Sequence, residues 1–143
     1  MKKNIRKNVL IVEDETPLLE AIKKKLEIND FSTISARSVE QAMNYLNDGV
    51  EIDAIWLDHY LLGKKTGLDF VAKIKEDNSK WKHIPVFLVS NTASSDKKIA
   101  YLQLGINKYY TKAEYPLDKI IQEIKNFFES GGQTIKKYFD SEL

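Results

Sequence analysis

The chain has 143 residues, 43% of them hydrophobic and 30% charged, a size and balance that suit one globular domain with a real core. Lys and Arg number 22 against 21 Asp and Glu, a net charge of +1, so composition gives no case for a nucleic-acid partner. There is no cysteine, which excludes a disulfide framework, thiol catalysis and a cysteine-based zinc site and fits a reducing compartment.

A basic leader, residues 1–7, precedes the run Val9-Leu10-Ile11-Val12. That run is too short for a signal peptide and far short of the roughly 20 apolar residues of a membrane helix. The expectation is a soluble, cytoplasmic protein without membrane insertion. Because the run is apolar at consecutive positions, it predicts a strand covered on both faces, as in a parallel sheet. It stops at Glu13-Asp14-Glu15. Thr16-Pro17 then opens an amphipathic helix, with Pro17 at its first position and Leu18, Leu19, Ile22 and Leu26 on its apolar side, to about Asn29.

Residues 31–36 form the second predicted strand. Ser38 followed by Gln41 is a capping-box pattern for a helix carrying Val39, Ala42, Met43 and Leu46, ended by Asn47-Asp48-Gly49. The third strand covers 54–57 and ends in Asp58; the third helix runs from Leu68 to about Asp77. A fourth strand over 84–89, with Pro85 near its start, ends at Ser90-Asn91-Thr92. Ser94 or Ser95 caps a fourth helix through Ile99 and Leu102 to Gly105. The fifth strand is 108–111, ending at Lys112, and the fifth helix is 117–128, broken by Gly131-Gly132. Strands alternating with helices at this spacing imply a doubly wound α/β protein with a parallel five-stranded sheet. Beyond it, residues 130–143 form a C-terminal extension, predicted as a short helix with Ile135, Tyr138 and Phe139 at helical spacing.

Ligands of such sheets sit outside the carboxyl ends of the strands. Those ends carry Glu13 and Asp14, Asp58, Ser90 and Lys112, so the fold gathers three acids, a hydroxyl and an ammonium at one edge. Oxygen donors with more than one carboxylate suit Mg²⁺, which also relieves the repulsion between crowded acids. A carboxylate can act as a nucleophile and form an aspartyl phosphate, with Mg²⁺, a lysine and hydroxyl or N–H donors neutralising the transferred group.

Glu13-Asp14 after the first strand, Asp58 after the third, Ser90 after the fourth and Tyr109-Tyr110-Thr111-Lys112 at the fifth resemble, together and in this order, the receiver domain of two-component response regulators. The resemblance covers about residues 8–129, nearly the whole chain, and makes 1–129 the expected receiver domain. It implies a flavodoxin-like (βα)5 fold with strand order 2-1-3-4-5. It implies a phosphoacceptor signalling protein rather than an ordinary enzyme, one that at most catalyses its own phosphorylation and dephosphorylation. Asp58 would take a phosphoryl group from a histidine kinase or histidine phosphotransfer protein. Asp14, Asp58 and the backbone carbonyl of Tyr60 would hold Mg²⁺, with Glu13 acting through water. Lys112 would pair with the phosphoryl oxygens. Ser90 and Tyr109 would move as a switch and remodel the face of the fourth helix, fifth strand and fifth helix, where a downstream protein docks. The chain would thus be a stand-alone regulator signalling through protein contacts.

Four residues depart from the family pattern. Asn91 follows the switch hydroxyl where a small residue is usual. Ala113 follows Lys112 where a proline, commonly cis, is usual, and a trans bond is expected here. Leu62 stands in place of a proline, and the loop before Gly67 is one residue longer. Tyr60, two residues past Asp58, is placed to shield an acyl phosphate from water. Asn91 and Ala113 also motivate a second reading, a pseudo-receiver that binds a partner without phosphoryl turnover. A flavin- or nucleotide-binding protein is the third, opposed by the acidic Glu13-Asp14-Glu15 loop, which would repel a phosphate. His59 and His83 lack metal-ligand spacing and read as solvated loop residues. Trp56 reads as packing and Trp81 as a local cap over the sheet. The apolar stripe of the C-terminal extension either packs on the domain or docks a partner or second copy, which leaves a homodimer open.

Overall fold

A computed structural model describes residues 5–91 and 94–131. Ten elements alternate along the chain: β1 (Asn8–Val12), α1 (Thr16–Ile28), β2 (Ser32–Ala36), α2 (Val39–Asn47), β3 (Ala54–Leu57), α3 (Gly67–Ile74), β4 (Val86–Ser90), α4 (Ser95–Leu104), β5 (Lys108–Thr111) and α5 (Leu117–Glu129). The strands form one sheet in the order β2-β1-β3-β4-β5, and every neighbouring pair is parallel. This is the doubly wound arrangement that the alternation of elements predicts, in the flavodoxin-like strand order that the resemblance implies.

Consecutive apolar residues build this sheet because successive side chains point to opposite faces and both faces are covered. Leu10, Val12, Ile55, Leu57, Val86 and Leu88 join one core with α2, α3 and α4. Val9, Ile11, Ala54, Trp56, Phe87 and Val89 join the other with α1 and α5. Tyr110 packs into the second core, and Tyr109 lies partly buried against the first. The register aligns Val12 with Leu57 and Ser90 with Thr111, so the ends of these strands open onto one edge of the sheet.

Local chemistry sets the helix starts. Ser38 accepts from the Gln41 backbone N–H at 3.1 Å, but Gln41 returns its side-chain oxygen to the N–H of Arg37 at 2.8 Å, so the anticipated capping box is displaced by one residue. Thr66 and Asp69 form a full capping box and start α3 one residue before the predicted Leu68. Pro17 lies in the first turn of α1, behind Thr16 and the N-cap Glu15, rather than at its first position. α4 ends on Gly105, whose φ of +101° suits a left-handed cap that other residues resist.

Two predicted ends are shorter in the structure. α3 stops at Ile74, because Lys75 sends its ammonium to the carbonyls of Lys82 and Ile84 (2.7 and 2.6 Å) and fixes the chain in a loop. β4 begins at Val86, with Pro85 supplying only a carbonyl, to the N–H of Ile55. Trp81 lies partly buried against the α2–α3–α4 core, as a cap over it. No helix among the described residues is long and apolar enough to cross a membrane. The helix anticipated around Ile135, Tyr138 and Phe139 lies outside the described residues.

Candidate functional site

The parallel ladder continues one residue past the strands and sets the acids side by side. The Glu13 N–H donates to the Ala36 carbonyl at 3.0 Å, the Asp58 N–H to the Val12 carbonyl at 3.0 Å, and the Lys112 N–H to the Ser90 carbonyl at 3.1 Å. Glu13 is 0% exposed, Asp58 5% and Ser90 0%, while Asp14 is partly open to solvent. One ligand oxygen from each of Glu13, Asp14 and Asp58 lies within 4.8 Å of the others. Lys112 Nζ stands 3.0 Å from Glu13 Oε1 and 3.6 Å from Asp58 Oδ2. The Asp58 carboxylate also accepts the His59 backbone N–H at 2.9 Å and a hydrogen bond from the Ser90 side chain.

Burial pushes the Asp58 carboxyl above its ordinary range, against the pull of Lys112, Ser90 and the His59 N–H. Burial and then the Asp58 charge likewise push Glu13 up, and Lys112 pulls it back. For Lys112, burial works to lower the ammonium, but Asp58 and Glu13 outweigh it and hold it above its usual value. One cation thus serves two buried acids, with Asp14 adding a third carboxylate. An oxygen-only donor set with surplus negative charge fits a hard divalent cation such as Mg²⁺.

The remaining sequence-predicted residues surround this group. Tyr60 is 55% exposed, and Lys97 of α4 donates to its hydroxyl at 3.2 Å with the ammonium over the ring. Tyr109 lies under Lys98, and burial raises its hydroxyl to about 12. Asn91 and Ala113 are exposed, and there is no cis peptide bond among the described residues, so the bond into Ala113 is trans. The long loop carries Leu62 to a bridge with Ser38 at the start of α2.

His59 corrects the sequence reading. It is buried, not solvated, and its Nδ1 shares a hydrogen bond with the Tyr101 hydroxyl of α4 at 2.5 Å. Burial and Lys97 hold the imidazole below its ordinary pKa, which favours its neutral form. The buried residue of α4 is Tyr101, and Ile99 and Leu102 are 51% and 43% exposed. Gly67 closes this corner. A Cβ there would lie 2.7 Å from both the Asp58 carbonyl oxygen and the Tyr101 hydroxyl. Arg37, also unforeseen, donates to the Asp14 carbonyl from Nη2 at 3.0 Å.

Comparison with known proteins decides the family. The response regulator receiver domain pattern matches residues 9–125. The chain belongs to the response regulator receiver domain family. Among solved structures, this receiver is similar to the phosphorylated cyanobacterial phytochrome response regulator RcpA, at 28% identity and a TM-score of 0.78, covering 89% of this chain and 96% of the other. It is also similar to the Mn²⁺-bound response regulator Rcp1, at 30% identity and a TM-score of 0.75, covering 85% and 94% of the two chains. Among curated proteins it is 31% identical over 114 residues to the phosphate regulon transcriptional regulatory protein PhoB of Escherichia coli (strain K12), covering 80% of this chain and 48% of that protein. The receiver therefore spans about half the length of the curated relative it matches. Phosphorylation-based signalling is the general role of receiver domains, which bind Mg²⁺ in an acidic pocket.

Proposed function

We propose that Asp58 is the phosphoacceptor of this receiver and takes its phosphoryl group from a histidine kinase or a histidine phosphotransfer protein. The observation that carries the reading is the meeting of Asp58, Glu13, Asp14 and Lys112, contributed by the ends of three strands, in one nearly buried group. In the reaction, a carboxylate oxygen of Asp58 attacks the donor phosphorus. The bond from phosphorus to the donor imidazole breaks, and the imidazole leaves with the electron pair. Asp14, Asp58 and the backbone carbonyl of Tyr60 would hold Mg²⁺, with Glu13 acting through water, and the ion would neutralise charge on the phosphoryl oxygens. Lys112 swings from Glu13 toward the phosphoryl group, and the His59 N–H already points at the carboxylate.

Output follows from the same charge event. Ser90 turns toward the phosphoryl group, and Tyr109 moves inward from beneath Lys98. That alters the face of α4, β5 and α5, where the exposed Ile99 and Leu102 offer apolar contacts to a downstream protein or a second copy. In this reading residues 1–129 form the receiver and 130–143 an extension. The test is intact-mass spectrometry with a small phosphodonor and Mg²⁺. One phosphoryl group is expected on the wild type and none on Asp58→Asn. Absence of uptake from every donor, with partner binding unchanged in Asp58→Asn, would favour the pseudo-receiver instead.

A further inference from the structure

The two residues that follow Asp58 are both held by α4. His59 is buried; its backbone N–H donates to Asp58 Oδ1 at 2.9 Å, and its carbonyl accepts the Gly67 N–H at 3.0 Å. Its ring Nδ1 shares the hydrogen bond with the Tyr101 hydroxyl at 2.5 Å. The Tyr60 ring meets the His59 ring edge to face, with centroids 4.7 Å apart, and its hydroxyl accepts from Lys97 Nζ at 3.2 Å. Lys97 and Tyr101 are four residues apart, so they stand one turn from each other on the same side of the helix. One side of α4 therefore grips the dipeptide His59-Tyr60 twice, at a buried point and at an exposed one.

That grip couples the helix to the acidic group. Tyr101 is the one buried residue of α4, so the side chain that anchors the helix in the core is also the one that holds His59. Elements with few buried contacts lie at the low-stability end of a fold and shift readily. On the other side of the coupling, His59 supplies an N–H to the Asp58 carboxylate, and Tyr60 carries the backbone carbonyl assigned above to Mg²⁺. Groups that orient a metal's ligands typically change its affinity by roughly 10- to 100-fold when removed. We propose, resting on the cation site set out above, that Tyr101 and Lys97 are positioning residues for it. They fix His59 and Tyr60, and through them the Asp58 carboxylate and the Tyr60 carbonyl, so cation binding and the placement of α4 are linked. Linkage is reciprocal: a protein that docks on Ile99 and Leu102 and shifts α4 changes the affinity for the cation, and the cation changes the affinity for that protein by the same factor.

The test is Mn²⁺ binding to the unphosphorylated full chain, read from the electron paramagnetic resonance signal of the free ion. The wild type should bind, and Asp58→Asn should bind more weakly. A wild type that holds no Mn²⁺ would sink the cation site and the proposal with it. Tyr101→Phe keeps the ring, removes the hydroxyl and should bind about tenfold more weakly. Tyr60→Phe removes the hydroxyl that Lys97 meets, keeps every charge and the backbone carbonyl, and should lose about threefold. Ile124→Val, a change in the α5 core, lowers stability without touching His59 or Tyr60 and should bind as the wild type does. Wild-type affinity in Tyr60→Phe, or in folded Tyr101→Phe, would overturn the proposal and leave the cation site standing. So would a loss in Ile124→Val equal to that in Tyr101→Phe, because the effect would then follow stability alone.

Discussion

Lys112 Nζ lies closer to Glu13 Oε1, at 3.0 Å, than to Asp58 Oδ2, at 3.6 Å. The single cation of the group is therefore held by the acid that would not react, within reach of the one that would. Replacing it with methionine leaves two buried carboxylates with no counter-ion. Both folded-state pKa values already stand above the ordinary carboxylate range and should rise further. Lys112→Met is therefore expected to lose stability at neutral pH, by roughly 3 kcal/mol. It should recover stability as the pH falls into the carboxylate range, where both acids are protonated and need no partner. Denaturant melts across that range check this. Phosphoryl uptake by the same variant should slow by on the order of a hundredfold, as when one donor to a developing charge is removed.

Asp58→Asn should act in the opposite direction. Asp58 has a raised folded-state pKa, so its stabilising share is fully present below the unfolded value and is lost as the pH rises through the folded one. At neutral pH the ionised form is a burden on the fold, and removing the charge should stabilise the metal-free protein by on the order of 1 kcal/mol, about 3 °C in Tm. The gain should vanish below the ordinary carboxylate range. A paired thermal melt of wild type and variant across pH checks both the sign and the window.

Much of this architecture was legible in the sequence. Consecutive apolar runs specify a sheet buried on both faces, and the residues that end those runs, Glu13, Asp14, Asp58, Ser90 and Lys112, carry the polar chemistry. What was not legible depends on contacts distant in sequence. His59 is a histidine in a polar loop and reads as solvated, because its partner Tyr101 is 42 positions away on a helix whose pattern is weak. In α4 nothing in the pattern marks Tyr101 as the residue that fills the core while Ile99 and Leu102 stay exposed. Trp56 does pack, as read, but nothing in the one-letter code marks its N–H as unpaired.

The bond between His59 and Tyr101 should therefore be measurable as stability. Tyr101→Phe keeps the ring in the core and removes the hydroxyl, leaving His59 Nδ1 buried without its partner. The expected loss is about 1–3 kcal/mol. Leu102→Ala, one residue on and on the exposed side of α4, should change stability by about 0.5 kcal/mol or less. Urea unfolding of the two variants side by side checks both values.

Gly67 gives a steric counterpart. An added methyl would lie 2.7 Å from the Asp58 carbonyl oxygen and 2.7 Å from the Tyr101 hydroxyl, and the first of these is backbone that cannot move aside cheaply. Gly67→Ala is expected to cost roughly 1–3 kcal/mol. In Tyr101→Phe one of the two obstacles is gone, so the same substitution should cost less there. A double-mutant cycle from denaturant unfolding reads that coupling directly.

Chemical mapping distinguishes Asp58 from every other carboxylate that could accept the phosphoryl group. After treatment with a small phosphodonor and Mg²⁺, reduction with borohydride converts an aspartyl phosphate into homoserine, and peptide mass mapping then reads the position. Homoserine is expected at residue 58 in the wild type, dependent on Mg²⁺ and abolished in Asp58→Asn. Homoserine at another aspartate, or an unmodified Asp58 in protein that has taken up phosphate, would contradict it.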